Sequence, residues 1–157
     1  MRQLLFILAV LVWALHTEAQ TSNPIVGKWK IVAVDDGVYY NYKTDSMAVT
    51  KKLQDSLVGK KDSAITVEIL SMFVYQYEDY YFSFDDSFHY QETRSGMIRV
   101  SGSYTIDTGT HTVEVLYGSG ENRKPHRFKY KCLRDELILS MSSAFGDEFE
   151  LTLERVK

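Results

Sequence analysis

The sequence contains little cysteine, proline or glycine. It has 1 Cys, 2 Pro and 9 Gly among 157 residues. A single cysteine excludes an intrachain disulfide, so the fold must be stabilised by a hydrophobic core. The scarcity of Pro and Gly excludes collagen-like and low-complexity structure, and an apolar content of 45% excludes intrinsic disorder.

The chain also lacks an excess of positive charge. It has 18 Lys and Arg residues against 21 Asp and Glu residues, a net charge of -3. Proteins that bind the nucleic-acid backbone are normally basic, so we expect no nucleic-acid partner. No phosphate-binding Gly-rich loop or His-Glu-x-x-His motif is present. His89 and His126 lack metal-ligand spacing to each other or to Cys132, and we expect neither a metal nor a cofactor.

Long hydrophobic runs are confined to the N-terminus. Arg2 precedes an apolar run over residues 4–15, and Thr17-Glu18-Ala19 follows it. This order is typical of a secretory signal peptide, and the run is shorter than the roughly 20 residues that cross a bilayer. We therefore expect residues 1–19 to be cleaved after Ala19 and the mature chain to be periplasmic or extracellular. No cysteine follows the cleavage site, so we do not expect a lipoprotein.

Residues 20–157 then form a single domain. They contain no second hydrophobic run long enough to span a membrane, no internal repeat and no linker, so we expect no integral membrane segment in the mature chain. Cys132 shares a strand face with Phe128 and Tyr130, which indicates a buried and unreactive thiol.

Most of this domain consists of short runs that alternate apolar and polar residues. Alternation with a period of two is typical of strands with one buried face, and short polar turns join antiparallel neighbours. Closing such a meander into a barrel removes its exposed edges. We therefore predict a mainly β fold, an eight-stranded antiparallel up-and-down barrel. The strand-like runs cover residues 27–34, 80–84, 88–93, 98–106, 111–117, 127–133, 136–141 and 148–155.

The long connection between the first two strands, residues 35–79, predicts one or two short helices. Asp45 or Ser46 can cap the first helix, and Gly59 can end it. The apolar residues of the segment 62–77 fit a helical stripe and a strand alternation equally well. We expect a helix there, because two short helices can cover the mouth of a barrel.

Three features in this order resemble the lipocalin-like (calycin) family, in particular the compact lipocalin-like domains of exported bacterial proteins. They are Gly27-Lys28-Trp29 at the start of strand one, Arg155 near the end of strand eight, and the strand Gly102-Ser103-Tyr104-Thr105-Ile106. The resemblance implies that Gly27, Trp29 and Arg155 close the base of the barrel and bind nothing, with the guanidinium stacked on the indole. The signature loops and disulfides of larger animal lipocalins are absent, so their ligand preferences are not carried over.

A barrel of eight strands has an interior just wide enough for its own side chains or for one small ligand. Aromatic rings dominate the side chains that alternation turns inward, which suits a flat or elongated apolar ligand oriented by Tyr hydroxyls. The inward set is Phe82, Phe84, Phe88, Tyr90, Val100, Tyr104, Ile106, Val113, Val115, Phe128, Tyr130, Leu137, Leu139, Phe149, Leu151 and Leu153. The candidate ligand-binding residues among them are Phe82, Phe84, Tyr90, Tyr104, Ile106, Val113, Val115, Phe128, Tyr130 and Leu139.

The opposite end of the barrel is the expected mouth. With Trp29 and Arg155 at the closed end, the mouth collects the loops that follow strands one, three, five and seven. A cluster of Tyr and Arg side chains there would serve as a ligand gate or a partner-binding surface. Its members are Tyr39, Tyr40, Tyr42, Glu92, Tyr117, Arg123, Lys124, His126 and Phe145.

Two functions fit this expected fold. The first is an exported carrier or sensor that binds a small hydrophobic molecule inside the barrel. The alternative is a protein-interaction module whose barrel is filled by side chains and whose mouth loops bind a protein partner.

An enzyme is not expected. Glu92 and His111 are the inward-facing polar residues that could form an acid/base pair, but they fall at opposite rims of the barrel. Strands rise about 3.3 Å per residue, so the two side chains are beyond hydrogen-bond reach of each other. No Gly-x-Ser-x-Gly motif is present either.

Overall fold

The computed structural model of the chain describes residues 23–118, 124–142 and 148–157. The expected signal peptide, residues 1–19, lies outside the described residues. The strands are β1 (Gly27–Asp35), β2 (Val38–Asn41), β3 (Ser46–Val49), β4 (Tyr80–Phe84), β5 (His89–Arg94), β6 (Met97–Asp107), β7 (Thr112–Tyr117), β8 (Lys124–Leu133), β9 (Glu136–Ser142) and β10 (Glu148–Arg155).

The strands form one antiparallel sheet that closes on itself, as predicted. In the described part of the chain its order is β10-β9-β8-β7-β6-β5-β4-β1-β2-β3, and β10 also pairs with β1. Strand β1 and strands β4 to β10 therefore make a closed barrel of eight strands. Consecutive barrel strands are neighbours throughout, which is the up-and-down connection that short turns impose.

Strands β2 and β3 form a hairpin that the sequence pattern does not predict. Tyr40 of β2 pairs with Val34 of β1 on one side and with Met47 of β3 on the other. Val38 and Tyr40 are buried, whereas Tyr39 between them is exposed. Two strands of four residues each are too short for this alternation to stand out in the sequence.

Two helices follow the hairpin within the connection where helices are predicted. They are α1 (Lys51–Leu57) and α2 (Ser63–Val74), and a single 3-10 turn, Tyr75–Tyr77, continues α2. The helix expected over residues 62–77 is confirmed. Among the described residues, no helix combines the length and the apolar content needed to cross a membrane.

The expected start of the first helix is wrong. Ser46 belongs to β3, and Asp45 lies in the hairpin turn with a φ of 49°. Thr50 caps α1 instead, since its hydroxyl accepts a hydrogen bond from the Leu53 N–H at 3.4 Å. Gly59, with a φ of 76°, follows the helix as predicted.

The hydrophobic core fills the barrel and the space beneath the hairpin and α2. It includes the buried side chains of Ile25, Trp29, Ile31, Val34, Val38, Tyr40, Leu70, Val74, Phe82, Phe84, Tyr90, Tyr104, Val113, Val115, Phe128, Tyr130, Leu137, Leu139, Phe149, Leu151 and Leu153.

Three residues expected inside the barrel are not fully buried. Phe88 is 52% exposed, because it sits at a φ of 59° in the turn before β5 rather than in the strand. Val100 and Ile106 are only partly buried and pack against the edge of the core. Cys132 is also only partly buried; its thiol donates a hydrogen bond to the Pro24 carbonyl at 3.3 Å.

The closed end is sealed around Trp29, which has no exposed surface. The guanidinium carbon of Arg155 lies 4.2 Å from the Trp29 ring centroid. Arg155 donates hydrogen bonds to the carbonyls of Val26 at 2.6 Å and Pro24 at 3.3 Å, and the Trp29 indole donates one to Ile25 at 2.7 Å. One cation–π contact and three hydrogen bonds thus fasten the N-terminal segment across the base of the barrel.

Gly27 occupies the same base because a side chain has no room there. Its φ is 143°, a conformation that L-residues rarely adopt. A Cβ at this position would collide with Nη1 of Arg155. The glycine therefore permits the guanidinium to reach the carbonyls that it binds.

We predict that Arg155→Ala lowers the free energy of unfolding by about 2 kcal/mol, since the cation–π contact and two charged hydrogen bonds are lost together. Equilibrium urea unfolding measures the change. Lys157→Ala, at the exposed C-terminus, is the matched control and should leave the midpoint unchanged. Equal midpoints for the two variants would refute a sealing role for Arg155.

Candidate functional site

The barrel opens at the end opposite Trp29 because β1 changes its partner along one edge. Gly27 to Lys30 pair with β4, whereas Ala33 to Asp35 pair with β2. The space that this change leaves is occupied by Tyr77, whose ring packs against Tyr80 of β4 at 5.8 Å and Phe149 of β10 at 5.6 Å.

Two adjoining cavities lie in this open half. The inner cavity has a volume of about 290 Å³ within the barrel, and the outer cavity, of about 440 Å³, lies against the C-terminal end of α2. The inner cavity is lined by Gln76, Tyr77, Tyr80, Phe82, Glu92, Arg94, Arg99, Tyr117, His126, Phe128, Met141, Phe149 and Leu151. The outer cavity is lined by Val34, Asp36, Phe73, Val74, Gln76, Tyr77, His126, Met141, Ser142 and Phe149.

One wall of the inner cavity is apolar. Phe82, Phe128, Phe149 and Leu151 come from β4, β8 and β10, and all four are buried. They are inward residues of the predicted alternation, in which every second side chain of a strand faces the barrel axis. Rings and branched side chains held by the surrounding sheet give this wall a fixed shape for an apolar ligand.

A carboxylate held by two phenols forms the opposite, polar side. The hydroxyls of Tyr80 and Tyr90 each donate a hydrogen bond to a different oxygen of Glu92. Phe82 of β4 pairs with Glu92 of β5, and Tyr90 lies two residues before Glu92 on the same face. The two-residue period thus brings both phenols to one carboxylate.

The environment keeps these phenols neutral. Burial is the main cause that raises the pKa of Tyr80 and Tyr90, and the hydrogen bond and charge of Glu92 raise it further. Burial also raises the pKa of Tyr77 to about 12. All three side chains therefore remain hydrogen-bond donors at physiological pH.

Tyr117 and His126 form a second polar pair at the rim. The Tyr117 hydroxyl and Nε2 of His126 are hydrogen-bonded at 2.6 Å, and their rings lie 4.9 Å apart. They come from the neighbouring strands β7 and β8, where Val115 pairs with His126.

Two arginines complete the inner cavity, and one of them is placed there by a β-bulge. Glu92 pairs with Val100 and Thr93 pairs with Ile98, so Arg99 is an extra, unpaired residue of β6. A bulge re-aims the side chain that it carries. Arg94 reaches the cavity by plain alternation, two residues beyond Glu92.

The candidate ligand-binding residues divide into two groups in the structure. Phe82 and Phe128 line the inner cavity. The others do not line it. Most of them lie in the packed half of the barrel, Tyr90 contacts the cavity only through its hydrogen bond to Glu92, and Ile106 is partly buried near the closed end. Those away from the lining are Phe84, Tyr90, Tyr104, Ile106, Val113, Val115, Tyr130 and Leu139.

Several lining residues are not among the predicted candidates. Arg94 shares the two-residue period of Tyr90 and Glu92, which could have revealed it. Arg99 breaks the period through its bulge, and no local pattern signals it. Gln76 and Tyr77 reach the cavity only because the connection folds back over the barrel.

The expected mouth cluster is only partly assembled. Glu92, Tyr117 and His126 line the inner cavity, whereas Tyr40 and Tyr42 pack against each other in the region of the hairpin, with ring centroids 4.8 Å apart. Tyr39 is exposed on β2. Arg123, Phe145 and the side chain of Lys124 lie outside the described part of the structure.

His111 and Glu92 do not come together in the structure. His111 is exposed just before β7, at the end of that strand opposite Tyr117, and its ring packs on Tyr130 rather than near Glu92. Within the described ranges, no group of three or more His, Cys, Asp or Glu residues could hold a metal ion.

Comparison with known proteins assigns this chain to no family. No family model matches it, and no curated protein matches it. Among solved structures, a DUF4847 family protein from Bacteroides vulgatus is similar with a TM-score of 0.46 and 11% sequence identity. The match covers 86% of this chain and 96% of that protein. A similarity this distant transfers no function.

We predict that Glu92→Leu lowers the free energy of unfolding by about 2 kcal/mol, because two partly or fully buried hydroxyls lose their acceptor. Glu92→Gln keeps one carbonyl acceptor at the same place and should lose less. Urea unfolding of the two variants measures the difference. If Glu92→Leu and Glu92→Gln have the same free energy of unfolding, the Tyr80 and Tyr90 hydroxyls do not need Glu92 as their hydrogen-bond acceptor.

The same cluster predicts a pH dependence. The pKa of Tyr80 and Tyr90 is raised in the folded state, so their contribution to stability is complete below the ordinary tyrosine pKa of about 10 and is lost as the pH rises through the raised values. Glu92→Gln should move the tyrosinate absorbance titration to lower pH, though not to the ordinary value, because burial remains. An unchanged titration would contradict the contribution of Glu92.

Proposed function

We propose that this protein is an exported, lipocalin-like binding protein that carries or senses a small hydrophobic molecule in the open half of its barrel. The observation that supports it best is the inner cavity, whose buried wall of Phe82, Phe128, Phe149 and Leu151 faces polar side chains, of which Tyr80, Glu92, Tyr117 and His126 are held by hydrogen bonds. Cavities with apolar walls and few convergent polar groups are the usual form of small-molecule sites.

Further observations support this proposal. The base of the barrel is sealed by Arg155 over Trp29, so a ligand in the inner cavity would be covered from below. The inner and outer cavities share Tyr77 and Met141, which gives an elongated molecule room to extend toward α2. Each buried methylene of such a molecule contributes about 0.8 kcal/mol to binding.

Export is part of the proposal and rests on the sequence. Residues 1–19 have the charged, apolar and small-residue order of a signal peptide, and we propose cleavage after Ala19. The mature chain would then bind its ligand in the periplasm or outside the cell.

A second candidate function, a protein-interaction module, is favoured by one observation. Ile65, Ile69, Met72 and Phe73 of α2 are all exposed and follow the helical period. Exposed apolar stripes are used for protein contacts. Ile69→Ser together with Met72→Ser would abolish a protein contact detected by crosslinking in the producing cell. Ligand binding in the barrel would be unaffected.

We predict that Met141→Trp blocks the cavities, because Met141 lines both of them and an indole would occupy the space of a ligand. Binding of Nile red, a neutral hydrophobic dye whose fluorescence rises in apolar sites, should weaken by about tenfold or more, the loss of one or two well-buried groups.

Met97→Trp is the matched control, since Met97 is 63% exposed at the start of β6 and lines neither cavity. It should bind the dye as the parent protein does. Equal affinities of the parent and both variants, or no binding by any of them, would refute a hydrophobic site in the open half.

A further inference from the structure

The polar groups of the inner cavity differ in whether their hydrogen-bonding capacity is already used. Each oxygen of Glu92 accepts a hydrogen bond, from Tyr80 and from Tyr90. Nε2 of His126 is bonded to the Tyr117 hydroxyl. The carboxylate oxygens and this imidazole nitrogen are thus engaged within the protein, whereas the Gln76 amide, which also lines the cavity, offers one acceptor and two donors.

The unused capacity consists mainly of donors. The side chains of Arg94 and Arg99 form no hydrogen bond or ion pair with any other residue of the described ranges. The Tyr77 hydroxyl, on a half-buried side chain, likewise has no hydrogen-bond partner among them. A guanidinium carries five N–H donors and accepts nothing, so these groups are complementary to a molecule rich in acceptors.

The charges of the lining favour an anion. Among the described residues, Glu92, Arg94 and Arg99 are the charged side chains that line the inner cavity, and together they leave one positive charge in excess. The described lining of the outer cavity is largely apolar and includes one charged residue, Asp36.

The bulge at Arg99 strengthens this assignment. Without the extra residue, strict alternation would continue from Val100 to Ile98 and turn Arg99 outward. Instead Ile98 is 61% exposed while Arg99 lines the cavity. Arg99 is itself exposed, so its guanidinium stays hydrated at the mouth and is accessible to an anionic group of a ligand.

We propose that the ligand is an amphiphile with a single anionic head group. Its head lies in the inner cavity at Arg94, Arg99 and Tyr77, and its apolar part extends into the outer cavity beside Val74 and Met141. This inference rests on the proposed function, since it names the chemical class of the molecule bound at the same site.

Three probes with one hydrocarbon chain and different heads test the proposal: dodecanoate, dodecanol and dodecyltrimethylammonium, which are anionic, neutral and cationic. Each displaces Nile red from the full-length mature protein at neutral pH, low ionic strength and concentrations below micelle formation. Dodecanoate should bind about tenfold more tightly than dodecanol, as a charge-assisted hydrogen bond to a partly exposed guanidinium allows. Dodecyltrimethylammonium should bind most weakly.

The double variant Arg94→Gln, Arg99→Gln should bind dodecanoate no more tightly than dodecanol. Arg127→Gln is the matched control, because Arg127 is an exposed arginine that pairs with Glu114 on the outside of the barrel. It should keep the full preference for dodecanoate. Added salt should reduce that preference, since the arginines are partly open to solvent.

The outcomes separate this inference from the proposed function. If Nile red binds but dodecanol binds as tightly as dodecanoate, or dodecyltrimethylammonium binds best, the anionic-head proposal is wrong and the hydrophobic site remains. A double variant that keeps the preference for dodecanoate overturns the assignment of Arg94 and Arg99. If neither Nile red nor any of the three probes binds, the proposed function itself fails.

Discussion

Each residue of a strand can pair with one neighbouring strand on each of its two edges, yet β1 pairs with three strands along its length. Its residues from Trp29 to Asp35 pair with β10 on one edge. On the other edge it pairs first with β4 and then with β2. The barrel is consequently complete at its base, where β4 and β1 are bonded. At the other end those two strands separate, and the connection that follows the hairpin folds over the space between them.

Because the barrel is closed at its base and open at its mouth, the inward-facing side chains of the two halves differ. Toward the base, Phe84, Tyr90 and Tyr104 pack ring against ring, with centroid distances of 5.1 Å and 5.2 Å to Phe84. Toward the mouth, the same inward positions of β5 carry Glu92 and Arg94. The polar groups are tolerated there because two phenols satisfy the carboxylate and because the guanidiniums reach solvent. The base thus provides stability, and the mouth provides a site with unused donors.

Much of this architecture could be predicted from the sequence, because it depends on local periodicity. Strands β4 and β10 begin and end at the predicted residues, and alternation places Phe82, Phe128 and Leu151 inside. The hairpin of β2 and β3 could not be foreseen, because four residues do not establish a period. The prediction that Phe88 faces the interior is wrong, because its positive φ takes it out of the strand that follows.

The site was less accessible to prediction than the fold. Glu92, Tyr117 and His126 follow from strand direction, but Tyr77 arrives from a helix that folds back over the barrel. The place of Arg99 in the cavity depends on one β-bulge, which turns its side chain from the outer to the inner face of the sheet. The amino-acid composition of the strand gives no sign of this bulge. Residues brought in by tertiary folding or by a break in register leave no periodic signal, and Arg99, one of the charged residues that line the inner cavity, is among them.

Native mass spectrometry of the mature protein, purified gently from the cell that makes it, tests the central claim most directly. Compared with the denatured mass, the native mass should contain a reproducible small-molecule adduct, and Met141→Trp should remove it. A bare native mass for the parent protein, unchanged after incubation with Nile red, dodecanoate, dodecanol or dodecyltrimethylammonium, would contradict a ligand-binding barrel.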